Sequence, residues 1–284
     1  MVADSDYQDR LSIVIPAFNE EEAVGLTLSA VRAAFPRAEV IVVDDGSTDE
    51  TAKRAATFAD VRLLRHEFNQ GYGSALKTGM RAATRPLVAW LDADNEHNPA
   101  DLAVMVKRLE QERCGAVIGV RTSSGGAVRS FGKWIIRMLA RTLGTDLGHD
   151  ANCGLRVFRR GIILRYANLL PDSFSASLTS SFIMMERGHP IVFHPVSLNP
   201  RTGQSKVRLA HGFKTLLTVL RLAMLFAPMR IFFMTGVSLV ASTRGEGFPI
   251  LATLMAILGA QLVMLGLIAD QIGQMRISQL GERE

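Results

Sequence analysis

The sequence predicts an α/β fold with a doubly wound sheet, followed by a membrane-associated helical tail. Two observations predict the α/β part: short runs of β-branched residues recur between Leu11 and Val120, and longer segments with helical spacing separate them. A third observation predicts the tail, because apolar residues make up 48% of the 284 residues and are concentrated in the last quarter of the chain. One large domain with a smaller helical appendage is therefore expected.

The elements of the α/β part follow in strict alternation. The segments with the length and composition of buried parallel strands are 11–15, 40–43, 61–64, 87–91 and 116–120. The helical segments between them are 20–34, 49–59, 73–83 and 99–111. In such a sheet, ligands bind outside the carboxyl ends of the strands. The chemistry is therefore expected directly after Ile15, Val43 and Leu91.

After Arg121, the β-branched runs that predict strands become rare. A helix is predicted over 130–143, followed by a polar turn and a mixed region that ends near Pro200. Together these segments would form the second half of the same domain, 1–208, which would bind the acceptor. Residues 209–229 combine apolar side chains with Lys214 and Arg221 on a helix ended by Pro228. This pattern is typical of a helix that lies in the membrane interface.

A transmembrane hairpin is predicted over 230–284, with a short polar tail. Its second arm, 250–269, has the ~20 residues needed to cross a bilayer and no charge, whereas the first, 231–242, falls short of ~30 Å at ~1.5 Å per residue. The first arm either starts further back, with Arg230 reaching the interface, or is re-entrant and completed by a second subunit, which would make the protein an oligomer. Two buried helices of a soluble core are the alternative.

Charge and cysteine content restrict the function classes. The formal net charge is +5, and the basic residues between 201 and 230 fit anionic phosphates or lipid headgroups. Nucleic acid is disfavoured as a ligand because no recognition helix or basic segment interleaved with aromatics is present.

The cysteines and the N-terminus indicate the compartment. Cys114 and Cys153 match neither a metal site nor a disulfide framework, and residues 1–10 lack the apolar core of a signal peptide. The α/β domain is therefore expected on the cytoplasmic side of the cell membrane.

The turns after the first two strands carry nucleotide-binding features. They read PAFNE (16–20) and DDGSTD (44–49), and strand-to-helix turns of this kind place backbone donors and carboxylates where they suit a nucleoside. The alternative is that Asp, Ser and Thr only cap the helices. Capping explains Ser47 or Thr48, but it does not explain the adjacent carboxylates of Asp44 and Asp45 after a hydrophobic strand.

The turn after the fourth strand predicts a divalent metal site. Asp92, Ala93 and Asp94 follow this strand, with Glu96 and His97 just beyond. Two carboxylates at this spacing repel each other unless a cation lies between them, and hard oxygen ligands select Mg²⁺ or Mn²⁺. Such a metal would bridge a diphosphate and offset the charge on a departing nucleoside diphosphate.

Four motifs in order carry a family resemblance. They are IVIPAFNE (13–20), VVDDGSTD (42–49), NQGYGSALKTG (69–79) and LDADNEHNP (91–99). The chain resembles glycosyltransferase family 2, and within it the group of dolichyl-phosphate mannose synthases and polyprenyl-phosphate glucosyltransferases, over roughly 11–208. The resemblance implies a GT-A fold, and the membrane tail is similar to that of the same group.

The resemblance also implies roles for individual residues. The residues implied in nucleotide-sugar binding are Pro16, Ala17, Glu20, Asp44, Asp45, Asp92, Ala93 and Asp94. Asp92 and Asp94 would hold the metal and diphosphate, and Glu96 stands where the group usually has a glutamine that also reaches the metal, which leaves its ligand role open. Together with Arg121, these two aspartates form the implied catalytic set.

On the acceptor side, the resemblance implies a cationic phosphate site. Arg121 would contact the acceptor phosphate, with Arg129 or Arg137 as a second contact. Arg201 and Lys206 lie in a loop, RTGQSK, that resembles the group's Arg-x-x-Gly-x-Ser-Lys loop and would clamp phosphate at the membrane surface. A solvated basic turn attracted to anionic lipid is the alternative for this loop.

The segment DANCGLR (150–156) resembles the family's Asp-x-x-Ser-Gly-Phe-Arg turn, with Cys153 at the small-residue position. A packing role is expected for Cys153. A nucleophilic cysteine would need a nearby base, which His149 could supply.

The absence of a pair of residues that would supply a general base indicates the expected reaction. Family members that glycosylate a hydroxyl commonly have a Glu-Asp pair, and no Glu-Asp dipeptide occurs in this sequence. A lipid monophosphate is already ionised, so the sequence predicts inverting transfer of mannose or glucose from a UDP- or GDP-sugar to polyprenyl phosphate. The alternatives are a processive polysaccharide synthase, whose Gln-x-x-Arg-Trp motif is absent, and a non-catalytic membrane-tethered nucleotide-sugar binder.

Overall fold

A computed structural model describes residues 5–121, 153–173, 175–199 and seven helical positions between Leu254 and Ile272. The predicted helix 130–143, the interfacial helix and the first hairpin arm lie outside the described residues. So do the following predicted functional residues: Arg129, Arg137, His149, Arg201 and Lys206.

Within the described residues, seven strands form one sheet in the order β3-β2-β1-β4-β6-β5-β7. The strands are β1 (Leu11–Ala17), β2 (Glu39–Asp44), β3 (Val61–Arg65), β4 (Leu87–Trp90), β5 (Ala116–Arg121), β6 (Arg156–Arg159) and β7 (Ile191–Val196). All neighbouring pairs are parallel except those of β6, which runs antiparallel to both β4 and β5. The sheet is therefore mixed, whereas the sequence pattern predicted parallel strands only.

The helices lie between the strands as predicted, with shorter bounds at some ends. They are α1 (Ser5–Gln8), α2 (Val24–Ala34), α3 (Thr51–Ala56), α4 (Tyr72–Ala82), α5 (Pro99–Gln111), α6 (Arg160–Arg165) and α7 (Ala176–Glu186), with a 3-10 turn at Ala167–Leu169. The start of α5 is set by Asn98, whose Oδ1 accepts a hydrogen bond from the Ala100 amide at 2.9 Å, and by Pro99 in the first turn.

Helices cover both faces of the sheet. On one face, Ile13 and Ile15 of β1 belong to a buried cluster with side chains of α2 and α5, including Leu28 and Leu102. On the other face, Val14 belongs to a second buried cluster with side chains of α4, α6 and α7. This two-sided burial explains the continuous apolar runs in β1 and β2, and it confirms the doubly wound α/β prediction.

No helix within the described ranges is both long enough and apolar enough to cross a bilayer. The helical positions between Leu254 and Ile272 fall largely in the predicted second arm of the hairpin, 250–269. Five of them are exposed large apolar side chains: Leu254, Ile257, Leu265, Ile268 and Ile272. The hairpin itself stays a prediction.

Candidate active site

The polar turns meet at one edge of the sheet. The carboxyl ends of β1, β2 and β4 lie there because these strands are parallel and adjacent, and Ala17 of β1 is paired with Asp44 of β2. β6 is antiparallel to β4, so its first residue, Arg156, is paired with Trp90 at the same edge. The turn before β6 therefore lies beside the Asp-x-Asp turn after β4.

Hydrogen bonds join the first two turns into one unit. The Asn19 amide donates to Ser47 Oγ at 2.9 Å, and Asn19 Oδ1 accepts from the Thr48 amide at 2.8 Å. The Glu20 amide donates to Thr51 Oγ1 at 2.8 Å. Pro16 and Ala17 are buried in β1 directly before this unit, and Ala17 is only 2% exposed. The residues predicted to contact the nucleoside are thus brought together.

Asp44 is fully buried at the end of β2. Its Oδ1 accepts from the Ser47 amide at 3.2 Å, and its Oδ2 accepts from Arg65 Nε at 2.9 Å. The first contact shapes the turn and the second ties β2 to the end of β3.

Asp45 anchors the loop that leads from β3 into α4. Its Oδ1 interacts with His66 Nδ1 at 2.7 Å and accepts from the Gln70 amide at 3.0 Å, while its Oδ2 accepts from the Gly71 amide at 2.8 Å. Asp45 is 3% exposed. Its carboxylate therefore has an internal role in addition to the nucleoside contact that the resemblance implies, and that contact stays a prediction.

Replacing Asp45 by asparagine tests this internal role. One acceptor oxygen would become a donor that faces backbone amides, so the free energy of unfolding is expected to fall by about 1–3 kcal/mol. Chemical denaturation of the variant measures this change. The matched control is Asp9→Asn, because the pair that Asp9 forms with Arg37 at 3.3 Å is about half-exposed and contributes little. Weaker nucleotide binding with unchanged unfolding would contradict the anchoring role.

Two glycines allow this loop to pack closely. Gly46 has φ +70°, and a Cβ there would lie 2.5 Å from the carbonyl carbon of Phe68. Gly71 has φ +104°, and a Cβ there would lie 2.3 Å from the Asp172 carbonyl oxygen. Both positions combine a left-handed backbone with a backbone neighbour, so side chains are excluded there.

Asp92 is held on two sides. Its Oδ1 accepts from the Tyr72 hydroxyl at 2.8 Å. Its Oδ2 lies 3.9 Å from His97 Nε2, which is beyond hydrogen-bond distance. Gly154 packs against the same carboxylate, since a Cβ there would lie 2.1 Å from Oδ2 and 2.6 Å from Cγ. The Asp92 carboxylate is therefore confined by both contacts.

Asp94 and Glu96 follow in the same turn. Asp94 is 8% exposed, and its Oδ1 accepts from the Glu96 amide at 3.2 Å. The Glu96 carbonyl accepts from the Asn199 amide at 2.8 Å, which ties the turn to the segment after β7. Ala93 is buried, and its carbonyl accepts from Thr27 Oγ1 at 2.9 Å.

His97 is buried next to these carboxylates. It is 5% exposed, and its Nδ1 has no hydrogen-bond partner within the described part of the chain. Burial lowers the pKa of His97 below its ordinary value, although the Asp92 and Glu96 charges oppose this shift. The charge of Arg121, at the end of β5, also lowers the His97 pKa, so the guanidinium lies close enough to act on this site.

The carboxylates fit a divalent cation that is shared with a substrate. Among the described residues, no three His, Cys, Asp or Glu side chains come together as a ready-made metal site. Mg²⁺ is commonly bound by one or two carboxylates together with substrate phosphates. The hard oxygens of Asp92 and Asp94 match that donor set.

A buried arginine supports the turn before β6. Arg156 is fully buried; its Nε donates to the Cys153 carbonyl at 2.8 Å, and its Nη1 donates to Ser180 Oγ at 3.0 Å and Ser181 Oγ at 2.7 Å. Cys153 forms no disulfide and is fully buried, and a Cβ on Gly119 would lie 2.9 Å from its Sγ. These contacts support the packing role predicted for Cys153.

Sequence reasoning missed three residues that shape the site. His66 and Tyr72 contact the predicted carboxylates, and Gly154 packs against one of them. Tyr72 and Gly154 lie inside motifs that were recognised, but their partners are distant in the chain. The only available signals were an aromatic residue within a glycine-rich turn and a glycine after Cys153.

Comparison with known proteins identifies relatives over most of the chain. The family model described as glycosyl transferase family 2 matches residues 12–166. The dodecaprenyl-phosphate galacturonate synthase of Rhizobium johnstonii is 34% identical over 165 residues, which cover 54% of this chain and 48% of that protein, so the chain spans about half the length of this relative. The undecaprenyl-phosphate 4-deoxy-4-formamido-L-arabinose transferase of Photorhabdus laumondii is 28% identical over 93% of this chain and 89% of that protein.

Two further comparisons concern a third relative and a solved structure. An uncharacterized protein of Methanocaldococcus jannaschii is 30% identical over 67% of this chain and 81% of its own length. The glucosyl-3-phosphoglycerate synthase of Mycobacterium tuberculosis, solved with Mn²⁺, UDP and glucosyl-3-phosphoglycerate, has a TM-score of 0.62 at 21% identity, covering 78% of this chain and 80% of that chain. This likeness shows a shared GT-A fold.

Proposed function

The chain belongs to glycosyltransferase family 2, and from that premise we propose that it transfers a sugar from a nucleoside diphosphate to a polyprenyl monophosphate. The observation that carries the proposal is the meeting of the nucleotide turns and the Asp-x-Asp turn at one sheet edge. Relatives whose names specify dodecaprenyl or undecaprenyl phosphate support the acceptor class. Those names cover a uronic acid and a formamido sugar, so mannose or glucose as the transferred sugar stays a prediction.

The nucleotide-sugar would bind across the joined turns. Pro16, Ala17 and Glu20 of the first turn and Asp44 and Asp45 of the second would enclose the nucleoside, UDP or GDP. Hydrogen bonds between the two turns hold these residues close together.

The diphosphate would lie at the Asp-x-Asp turn, where Asp92 and Asp94 would hold Mg²⁺ or Mn²⁺, with Glu96 as a further candidate ligand. When bound, the metal neutralises charge on the departing nucleoside diphosphate. Tyr72 and Gly154 fix the Asp92 carboxylate. His97, whose pKa is lowered by burial, contributes no fixed positive charge at neutral pH.

The acceptor phosphate would attack without a general base. A phosphate oxygen forms a bond to the anomeric carbon, the bond from that carbon to the diphosphate breaks, and the configuration inverts. No proton has to be removed, because the monophosphate is already ionised near neutral pH. Arg121 would orient this phosphate, with Arg129, Arg201 and Lys206 as further cationic contacts, so positioning supplies most of the rate.

The lipid acceptor places the reaction at a membrane surface. The basic helix 209–229 would lie in the interface and the segment 230–284 would anchor the chain, with the catalytic domain 1–208 on the cytoplasmic side. The short first arm of the hairpin favours an oligomer in the membrane. Homologues that act on polyprenyl phosphates support this location.

The proposal predicts metal-dependent formation of a lipid-linked sugar. The full chain in detergent is incubated with a short polyprenyl phosphate and a panel of radiolabelled UDP- and GDP-sugars, with Mn²⁺ or with EDTA. One donor is expected to give a radiolabelled lipid product with Mn²⁺, and EDTA should abolish it. Nucleotide binding without a lipid product from any donor would contradict the acceptor and favour a non-catalytic binder.

A further inference from the structure

We infer that Tyr72 is a positioning residue whose hydroxyl fixes the Asp92 carboxylate in the orientation that binds a divalent cation together with the nucleoside diphosphate. The inference rests on the proposed function, because it assumes that Asp92 holds the metal. It adds a residue to which neither the motifs nor the relatives' names give a role.

The direction of the hydrogen bonds follows from their chemistry. The Tyr72 hydroxyl lies 2.8 Å from Asp92 Oδ1. An ionised carboxylate can only accept, so Tyr72 must donate its proton to Asp92. The Ser177 hydroxyl, on α7, also hydrogen-bonds to the Tyr72 oxygen and must therefore donate to it. The result is a chain of donors that runs from Ser177 through Tyr72 to Asp92.

Burial raises the pKa of Tyr72 above its ordinary value. This direction agrees with the donor role that the 2.8 Å contact with Asp92 Oδ1 gives to the hydroxyl.

The backbone of Gly154 also packs against the carboxylate. Gly154 approaches so closely that a Cβ would lie 2.1 Å from Oδ2 and 2.8 Å from Oδ1 of Asp92. The hydrogen bond from Tyr72 and the close approach of Gly154 thus both restrict the orientation of the carboxylate. Without the Tyr72 hydroxyl, the hydrogen bond to Oδ1 would be lost, and the carboxylate could rotate away from its metal-binding orientation.

Tyr72 is itself held by its chain neighbours. The Gly71 amide donates to Asp45 Oδ2 at 2.8 Å, and the Gly73 amide donates to the Asp172 carbonyl at 2.8 Å. Tyr72 therefore sits between two backbone anchors at the start of α4. Gly71 and Tyr72 thus connect Asp45 of the nucleoside turn with Asp92 of the metal turn.

The alternative is that Tyr72 only fills space, since its partly buried ring packs against the cluster that contains Val14 and Leu76. The two roles are separable because Tyr72→Phe keeps the ring and removes only the hydroxyl. A packing role predicts a small change in the unfolding free energy and unchanged metal dependence. A positioning role predicts weaker metal binding, since residues that orient metal ligands typically contribute about 10- to 100-fold in affinity.

The test is calorimetric titration of UDP, and separately GDP, into the full chain in detergent at a series of Mn²⁺ concentrations. For Tyr72→Phe, the Mn²⁺ concentration that gives half-maximal nucleotide binding is expected to rise about 10-fold or more, while binding in EDTA is unchanged. Ser177→Ala should give a smaller shift in the same direction. The matched control is Tyr166→Phe, which removes a hydroxyl that contacts His189 Nε2 at 3.0 Å and should leave the Mn²⁺ midpoint unchanged.

An unchanged midpoint in Tyr72→Phe, or an equal shift in Tyr166→Phe, would overturn the inference. Wild-type protein that binds nucleotide with Mn²⁺ but forms no lipid-linked sugar would overturn the proposed acceptor, while the midpoints would still decide the role of Tyr72. Wild-type protein that shows no Mn²⁺-dependent binding of either nucleotide would overturn both the metal assignment and the role of Tyr72.

Discussion

Replacing Asp94 by alanine is expected to lower sugar transfer by about 10²- to 10³-fold, since it would remove an anionic ligand from the cation that stabilises the leaving group. The side chain is 8% exposed, and its carboxylate accepts from the Glu96 amide. Loss of this hydrogen bond should cost about 1 kcal/mol of unfolding free energy. The variant should therefore fold and fail in chemistry, which transfer assays at saturating donor and thermal unfolding measure together.

A matched control for Asp94 lies seven positions beyond it. Asp101, in the first turn of α5, accepts from the Ser197 amide at 3.2 Å, so Asp101→Ala also removes a carboxylate that accepts from a backbone amide. Its transfer rate should stay within a few-fold of wild type. If Asp94→Ala turned over at the wild-type rate, the assignment of Asp94 to the metal would be wrong.

The second large effect is expected from Gly154→Ala, although this substitution adds only one methyl group. The added Cβ would lie 2.1 Å from Asp92 Oδ2, and the carboxylate cannot retreat without losing its hydrogen bond from Tyr72. We expect a loss of transfer of about 100-fold or more because the leaving-group site is distorted. Overpacking should lower the unfolding free energy by about 1–3 kcal/mol. Steady-state kinetics and chemical denaturation measure the two changes.

Gly161 provides the control for this substitution. It lies in α6, and a Cβ there would meet no atom within 4 Å. Gly161→Ala should keep full activity and raise the unfolding free energy by about 0.5–1 kcal/mol through helix propensity. If Gly154→Ala kept full activity, the backbone before β6 would shift easily to make room for the Cβ. Gly154 would then not confine the Asp92 carboxylate.

The parts of the fold that were predictable are those with a local signal. β1, β2 and β4 are buried on both faces, so their sequences are nearly continuous apolar runs, and their ends were placed within two residues. β6 gave no such signal, because it has the sequence RVFR. Its first arginine is buried with hydrogen bonds to the Cys153 carbonyl, to Ser180 and to Ser181, and the two serines lie in α7, far along the chain.

The candidate site likewise has a part that was predictable from the sequence and a part that was not. Acidic residues directly after buried strands identified the edge of the sheet, since the ends of parallel strands meet there. The supporting contacts were not predictable, because each joins segments far apart in the chain. Tyr72 reaches Asp92 from the start of α4, and Gly154 reaches it from the turn before β6. Periodicity and motif spacing describe one segment at a time and cannot report such pairs.

The position of β6 has a consequence for how the chain is made. β6 lies between β4 and β5, yet it follows both in the sequence. During synthesis on the ribosome, β4 and β5 emerge first, each with an open edge of unpaired amides and carbonyls, and such edges promote association between chains. Only when residues 156–159 emerge can one short strand close both edges. β6 therefore joins the sheet after both of its neighbours and before β7, and its insertion also brings Gly154 against Asp92.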